Sequence, residues 1–323
     1  MLHVWNRCHA CGAQPIAGLR FECESCPAGP DNDLCETCHR GWQQRSVAHP
    51  APGSYAAQAG VTATHVFRSH EGRPSDRYES WLAVPRTPAP PPVVPDRFVV
   101  RPEFRCGRES FFGAYAFVVE SEIGGAPLVL TALHVMDELI RSKRIDCSAQ
   151  NAAYTGRELP AVVTEVALYD VFASNWMFAE LGAARSMLVL PDARIGEEEP
   201  YSDRDLAAFR AGPAAQITPG RLALQSPRVG DPIFLAFNRG RSVPSRAIEA
   251  VVVESTDRTL VFRFANAADV APYSSGAPLL DREGFVVGLN VGAGAYGGAR
   301  FGHAHHVDSL RAHLGMQVSS LSA

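Results

Sequence analysis

Three Cys-x-x-Cys pairs crowd the start of the chain: Cys8/Cys11, Cys23/Cys26 and Cys35/Cys38. No other feature limits so tightly what the chain can fold into. A two-residue spacer lets one turn aim both sulfurs at a single tetrahedral ion, so each pair reads as half of a zinc site. Of the eight cysteines in the 323 residues, only Cys106 and Cys147 fall outside this cluster, and these two read as buried thiols. A closed structural site takes four ligands, so six thiolates need two more donors to complete two sites. His39, His49, His65 and His70 follow the last pair and are the candidates.

Dense cysteines can also mean disulfides, and the rest of the sequence decides between the two. The opening segment, Met1-Leu2-His3-Val4-Trp5-Asn6-Arg7-Cys8, lacks the apolar core of a signal peptide. No apolar run reaches the roughly 18 residues of a membrane span. A cytoplasmic location, without a membrane partner, is therefore expected. Thiols stay reduced there, which favours metal over disulfides. The formal net charge of −4 gives no basic footprint for nucleic acid. At 46% hydrophobic and 20% charged residues, the chain has the makeup of a globular protein long enough for two domains and a linker.

Three zones follow. Residues 1–70 hold the cysteine cluster. Residues 71–100 include Pro85, Pro88, Pro90, Pro91, Pro92 and Pro95 and read as a stiff, extended linker. Residues 101–323 carry short apolar runs bounded by Gly, Pro, Asn or Asp: Tyr115–Val119, Leu128–Thr131, Ala161–Val166, Pro232–Phe237, Ala247–Val253, Thr259–Phe264 and Phe285–Val291. Each is strand length. With one helical pattern at Val307–Leu314, the third zone is predicted to be all-β, a barrel or sandwich.

The segments around the cysteines, Cys8-His9-Ala10-Cys11, Pro15 to Cys23, Cys26, and Asp33-Leu34-Cys35-Glu36-Thr37-Cys38, resemble the ZZ type of zinc finger. The resemblance implies a two-zinc cross-brace. Cys8, Cys11, Cys35 and Cys38 would hold one Zn2+, and Cys23, Cys26 and two late histidines the other. Val66 and Phe67 follow His65 as apolar residues follow the last histidine of that family, so His49 and His65 are chosen and His70 is the reserve. Both ions would be structural, since full Cys/His ligation leaves no open position. ZZ fingers are protein-binding modules, and Asp31 and Asp33 match the acids that receive a peptide's α-ammonium group.

In the third zone, Thr131-Ala132-Leu133-His134 follows the apolar run Leu128-Val129-Leu130. Ser274-Ser275-Gly276-Ala277-Pro278-Leu279 lies near the other end, before Gly284-Phe285-Val286-Val287-Gly288-Leu289-Asn290. These segments resemble trypsin-like, chymotrypsin-fold serine peptidases, with the look of bacterial HtrA-type members. The implied fold is a double β-barrel. The implied catalytic residues are His134, Ser275 and an intervening aspartate. Asp205, in Asp205-Leu206-Ala207, fits that family's pattern; Asp170 is the alternative, and with Asp205 the stretch 169–204 becomes an insertion. The order His, Asp, Ser is the chymotrypsin order. The oxyanion hole would use the N–H groups of Tyr273 and Ser275, with Tyr273 standing where the family has glycine. Asp269 has the spacing of a basic-specific S1 acid, and a surface-loop acid is the simpler reading. His303 and His305 are S1 alternatives; His305 and His306 otherwise read as surface histidines.

The sequence thus predicts a cytoplasmic, bacterial serine endopeptidase acting on a protein or peptide, with a finger that recognises a protein partner. The rival is an inactive peptidase-fold scaffold whose finger is the working part. A third reading is an enzyme that stays latent until a partner binds the finger.

Overall fold

Short runs of β-branched and aromatic residues between Gly, Pro and Asn make strands the dominant element of the computed structural model. It describes residues 1–3, 5–23, 33–45, 47–49, 65–121, 125–136, 139–140, 143, 159–173, 179–188, 204–238, 246–266 and 273–315. Two compact units result: Met1–Ala83 with Ala293–Phe301, and Val84–Gly292 with Gly302–Ala323. Among the described residues no helix is long and apolar enough to cross a membrane.

Among the described residues, five short strands lie wholly within the first unit: β1 (Leu2–His3), β2 (Ile16–Ala17), β3 (Leu19–Cys23), β4 (Asp33–Cys35) and β5 (Phe67–Glu71). β3 lies between β4 and β5 in an antiparallel sheet, and β1 pairs with β2. Helix α1 (Glu36–Gln43) follows β4 directly. Helix α2 (Ser75–Ala83) buries Tyr78 and Trp81. Tyr78 packs on Tyr296, and Trp81 on Trp5 and Phe301. Metal-ligand candidates form much of the finger's core: Cys8, Ile16, Leu34 and Cys38 are buried, with Phe21, Trp42 and Phe67 against them.

The second unit is built on two closed barrels. The first uses β6 (Val99–Cys106), β8 (Ala116–Val119), β9 (Leu128–Thr131), β10 (Glu165–Asp170), β11 (Glu180–Met187) and β12 (Ala207–Ala211), with β7 (Glu109–Phe112) as a hairpin on β6. The strand order is β10-β11-β12-β9-β8-β6, and the β10–β6 pairing closes it. The second barrel is β13 (Pro232–Ala236), β14 (Ala247–Ser255), β15 (Thr259–Phe264), β18 (Ala299–His306), β17 (Val286–Tyr296) and β16 (Pro278–Leu280), in that spatial order. Helix α3 (Val307–Leu314) ends on Gly315 at φ 66°, the left-handed cap that glycine adopts most easily. Phe98, Phe104, Phe117, Phe209 and Phe234 lie in one apolar cluster, and Phe262, Leu235 and Leu279 in a second.

Three expectations from the sequence need correction. Residues 169–204 are not simply an insertion, because β11 is barrel wall: Ala184 faces Val166 of β10 and Ala211 of β12. Its Glu-Leu-Gly-Ala-Ala-Arg-Ser-Met sequence has too few large apolar residues to show an alternating pattern. The run Ala161–Val166 is split, with residues 159–162 helical and β10 starting at Glu165; a short apolar run has no period that separates helix from strand. The proline-rich stretch does not stand free. α2 occupies its first part, and beyond it the Ala89 N–H donates to Glu249 Oε1 at 3.0 Å and Arg246 donates to Val94 O at 3.4 Å.

Candidate functional site

The antiparallel register of β9 and β12 sets Thr131 opposite Ala207. His134 follows Thr131 by three residues, on a single 3-10 turn (Leu133–Met136). Asp205 precedes Ala207 by two. The pairing therefore delivers both side chains to one end of the ladder. Asp205 is wholly buried, and both its oxygens serve His134. Oδ2 accepts from Nδ1 at 2.7 Å and Oδ1 accepts from the backbone N–H at 2.9 Å. Burial opposes ionisation of Asp205, yet the charge on His134 and its two hydrogen bonds hold the carboxyl below its ordinary value. With Nδ1 donating, the basic lone pair of the ring sits on Nε2. Asp170 lies elsewhere: its Oδ1 accepts from Phe172 N at 2.9 Å in the turn after β10.

Ser275 sits in the tight turn before β16, pinned from two sides. Its carbonyl accepts from Tyr115 N at 3.1 Å, and Gly276 N donates to Asn290 O at 2.8 Å. Asn290 Nδ2 also reaches Ser274 O and Oγ, at 3.1 and 3.0 Å. Gly276 has φ 83°, and a Cβ there would lie 2.0 Å from Tyr115 O, so only glycine fits. Ser275 Oγ donates to Val291 O at 3.1 Å. Tyr273, 86% exposed, takes φ 59°. A side chain thus stands in a left-handed conformation that costs about 1 kcal/mol or more. Asp269 lies outside the described residues.

In the finger, Cys8, Cys11, Cys35 and Cys38 bring their sulfurs within 4.8 Å of one another. Cys11 and Cys35 Sγ are 3.9 Å apart, close to the edge of about 3.8 Å that a tetrahedron with Zn–S of about 2.3 Å requires. Burial, then the neighbouring thiols of Cys35, Cys11 and Cys8, raise the Cys38 thiol. Cys23, His49 and His65 form a second group within the same limit, with Cys23 Sγ 3.4 Å from His65 Nδ1. Burial, then the charges of His9 and His65, lower His49 to about 3, so it presents a neutral imidazole. Both donor sets suit zinc. Cys26 and Asp31 lie outside the described residues. Asp33 is buried, with Oδ1 receiving Arg20 at 3.0 Å and Oδ2 receiving Asn6 at 2.8 Å. Burial raises its carboxyl above the ordinary value against those partners. His39 stacks on Phe21 at 3.8 Å between ring centroids, and His70 Nε2 lies 3.0 Å from Glu22 Oε2.

The family model for the trypsin-like peptidase domain matches residues 114–289, a span that contains His134, Asp205 and Ser275. The chain belongs to the trypsin-like peptidase family. The model for the ZZ type of zinc finger matches residues 3–48, so the peptidase carries a ZZ finger at its front. Its curated relatives include the E3 ubiquitin-protein ligase HERC2 of Mus musculus and of Homo sapiens, each 31% identical over 85 residues. That match covers 25% of this chain, which spans only 2% of the length of those relatives. Among solved structures it is similar to the active form of the Rv3671c protease from M. tuberculosis, at 18% identity and TM-score 0.41, covering 74% of this chain and 93% of that one. The serine endoprotease from Yersinia pestis matches at 14% identity and TM-score 0.41, covering 69% and 64%. Membership rests on the family model.

Two residues of the peptidase domain differ from the sequence expectation. His305 and His306 are not surface histidines: each is 1% exposed. His305 Nε2 donates to Asp205 O at 2.8 Å, so β18 of the second barrel holds the aspartate on the first. Its sequence signal, alternation with His303 along Phe301-Gly302-His303-Ala304-His305, places it on one strand face without naming its partner. His306 caps α3 by accepting from Asp308 N.

Proposed function

We propose that the protein is a serine endopeptidase that cleaves a protein or peptide through an acyl-enzyme, with Ser275 as nucleophile, His134 as general base and Asp205 as the group that orients it. The grip of Asp205 on His134, inside a peptidase domain with Ser275 in the expected turn, is the observation that carries this reading. Ser275 Oγ attacks the scissile carbonyl carbon as its proton passes to His134 Nε2. The oxyanion takes the N–H groups of Tyr273 and Ser275. Collapse breaks the C–N bond, and the leaving amine takes the proton from His134. A water molecule then repeats the sequence to release the acid and restore Ser275. The left-handed backbone of Tyr273 supports its place in the hole, since glycine reaches that conformation without strain.

In this reading residues 1–70 are a recognition module with two structural Zn2+ ions, one on Cys8, Cys11, Cys35 and Cys38, the other on Cys23, Cys26, His49 and His65. Residues 71–100 join it to the peptidase domain, 101–323. Zinc held on thiolates suits a reducing compartment such as the cytoplasm, and a composition rich in Ala, Arg, Pro and Gly suits a bacterial source. A second reading, an inactive scaffold whose finger binds protein, is favoured by one contact. Ser275 Oγ is engaged by Val291 O and must turn away from it to attack. Fluorophosphonate labelling decides between them. Wild type should form an adduct and cleave casein or a peptide library, and Ser275→Ala should do neither. A wild-type chain that does neither is the scaffold.

A further inference from the structure

His9 lies between Cys8 and Cys11 and plays no part in the ligand set read from the sequence. Its backbone N–H donates to Asp33 O at 3.0 Å, and its ring Nδ1 is 2.9 Å from the same oxygen. A backbone carbonyl only accepts, so Nδ1 carries the proton and Nε2 is left as an acceptor. Nε2 lies 3.0 Å from His49 Nδ1, which must then be the donor. With its proton on Nδ1, His49 has its lone pair on Nε2, the form in which imidazole ligates a metal. The two rings are also in contact, with centroids 4.7 Å apart at 51°. Among the described residues the donor group comprises Cys23, His49 and His65, and His9 stands behind it.

We infer that His9 is a positioning residue for the second zinc ion: it fixes the tautomer and ring orientation of His49 through the chain Asp33 C=O, His9, His49. Such partners behind a ligand change metal affinity by about 10–100-fold. The location adds a consequence. His9 rides on the turn that carries Cys8 and Cys11, and Asp33 opens the strand that ends in Cys35. The hydrogen-bond chain therefore runs from the backbone of the four-cysteine group to a ligand of the other group, so that ordering one set orders the other. The inference rests on the two-ion reading of the finger.

The test uses the full chain, with zinc titrated against a chromophoric chelator and Co2+ substitution to separate a four-thiolate spectrum from a mixed thiolate–imidazole one. Wild type should bind two Zn2+. His9→Leu should still bind two at saturation. Its mixed site should weaken by about 10–100-fold while the four-thiolate spectrum is unmoved, which also shows that the finger has folded. His9→Gln, whose amide oxygen can accept from His49 Nδ1, should recover most of the loss. A wild-type chain with a single zinc overturns the two-ion reading and this inference together. Two zinc ions with equal affinities in wild type and His9→Leu overturn the inference alone. A His9→Leu chain that holds one zinc even at saturation makes His9 more than a positioning residue and overturns it as stated.

Discussion

The finger and the peptidase domain bury polar chemistry in opposite ways. In the finger, two of the four buried residues of the main core cluster are cysteines of the four-thiol group. A module of this size cannot hide enough apolar surface to hold itself together. Its proposed ligands are part of its core, so metal and fold should stand or fall as one. In the peptidase domain the order is reversed. Phe98, Phe104, Phe117, Phe209 and Phe234 fill a cluster that owes nothing to the proposed catalytic residues, and His134 and Asp205 sit at the end of a ladder this core already holds in register. The finger's site is its scaffold, whereas the peptidase's site is mounted on one.

Zinc removal should expose the contrast most strongly. Structural zinc is worth about 10–16 kcal/mol of apparent binding energy in finger peptides. Chelation should therefore abolish the near-UV signal of finger aromatics such as Trp42, while the barrels melt at an unchanged temperature. A shared loss of both transitions would erase the distinction.

Asp205→Asn is the matching probe of a mounted site. It should lower kcat by about 10^4-fold, as loss of the correct histidine tautomer does in related triads, with the barrel strands intact by circular dichroism. Its effect on stability has a definite sign. The folded carboxyl is held below its ordinary 3.8, so wild type gains from ionised Asp205 above that pH and loses the gain as pH falls through the folded value. The stability gap between wild type and Asp205→Asn should shrink on acidification, read from urea midpoints at pH 7 and pH 3. A gap that widens would mean that burial outweighs the His134 contacts.

Phe234→Ala, in the barrel core, should cost about 3–5 kcal/mol and leave zinc stoichiometry untouched, since Phe234 is buried in a cluster without ligands. The smallest effect is expected at Tyr273→Gly. Relief of the left-handed residue is worth about 1 kcal/mol, so the variant should be slightly more stable with turnover unchanged or a few-fold higher. A large loss would show that the exposed tyrosine side chain itself meets the substrate.

How much of this was legible in the chain depends on the distance over which each feature acts. The Cys-x-x-Cys pairs state their chemistry in four residues, because one turn sets two sulfurs on one ion. Thr131-Ala132-Leu133-His134 and Ser274-Ser275-Gly276 are similarly local, with Gly276 demanded by a positive φ and a backbone oxygen that a Cβ would strike. The strands Leu128–Thr131 and Thr259–Phe264 and the helix Val307–Leu314 are found where their patterns placed them.

Local motifs therefore carry the kind of chemistry and the residue types that perform it. Tertiary structure alone decided the partners. Opposing Thr131 to Ala207 sets His134 on Asp205, across a sequence gap that no local pattern spans. Strand β11, poor in large side chains, became barrel wall only because β10 and β12 flank it. Nothing in the chain names the partner of His305 or of His9. Their contacts, His305 to Asp205 O and His9 to Asp33 O and His49 Nδ1, are with residues far away in sequence and brought near by packing.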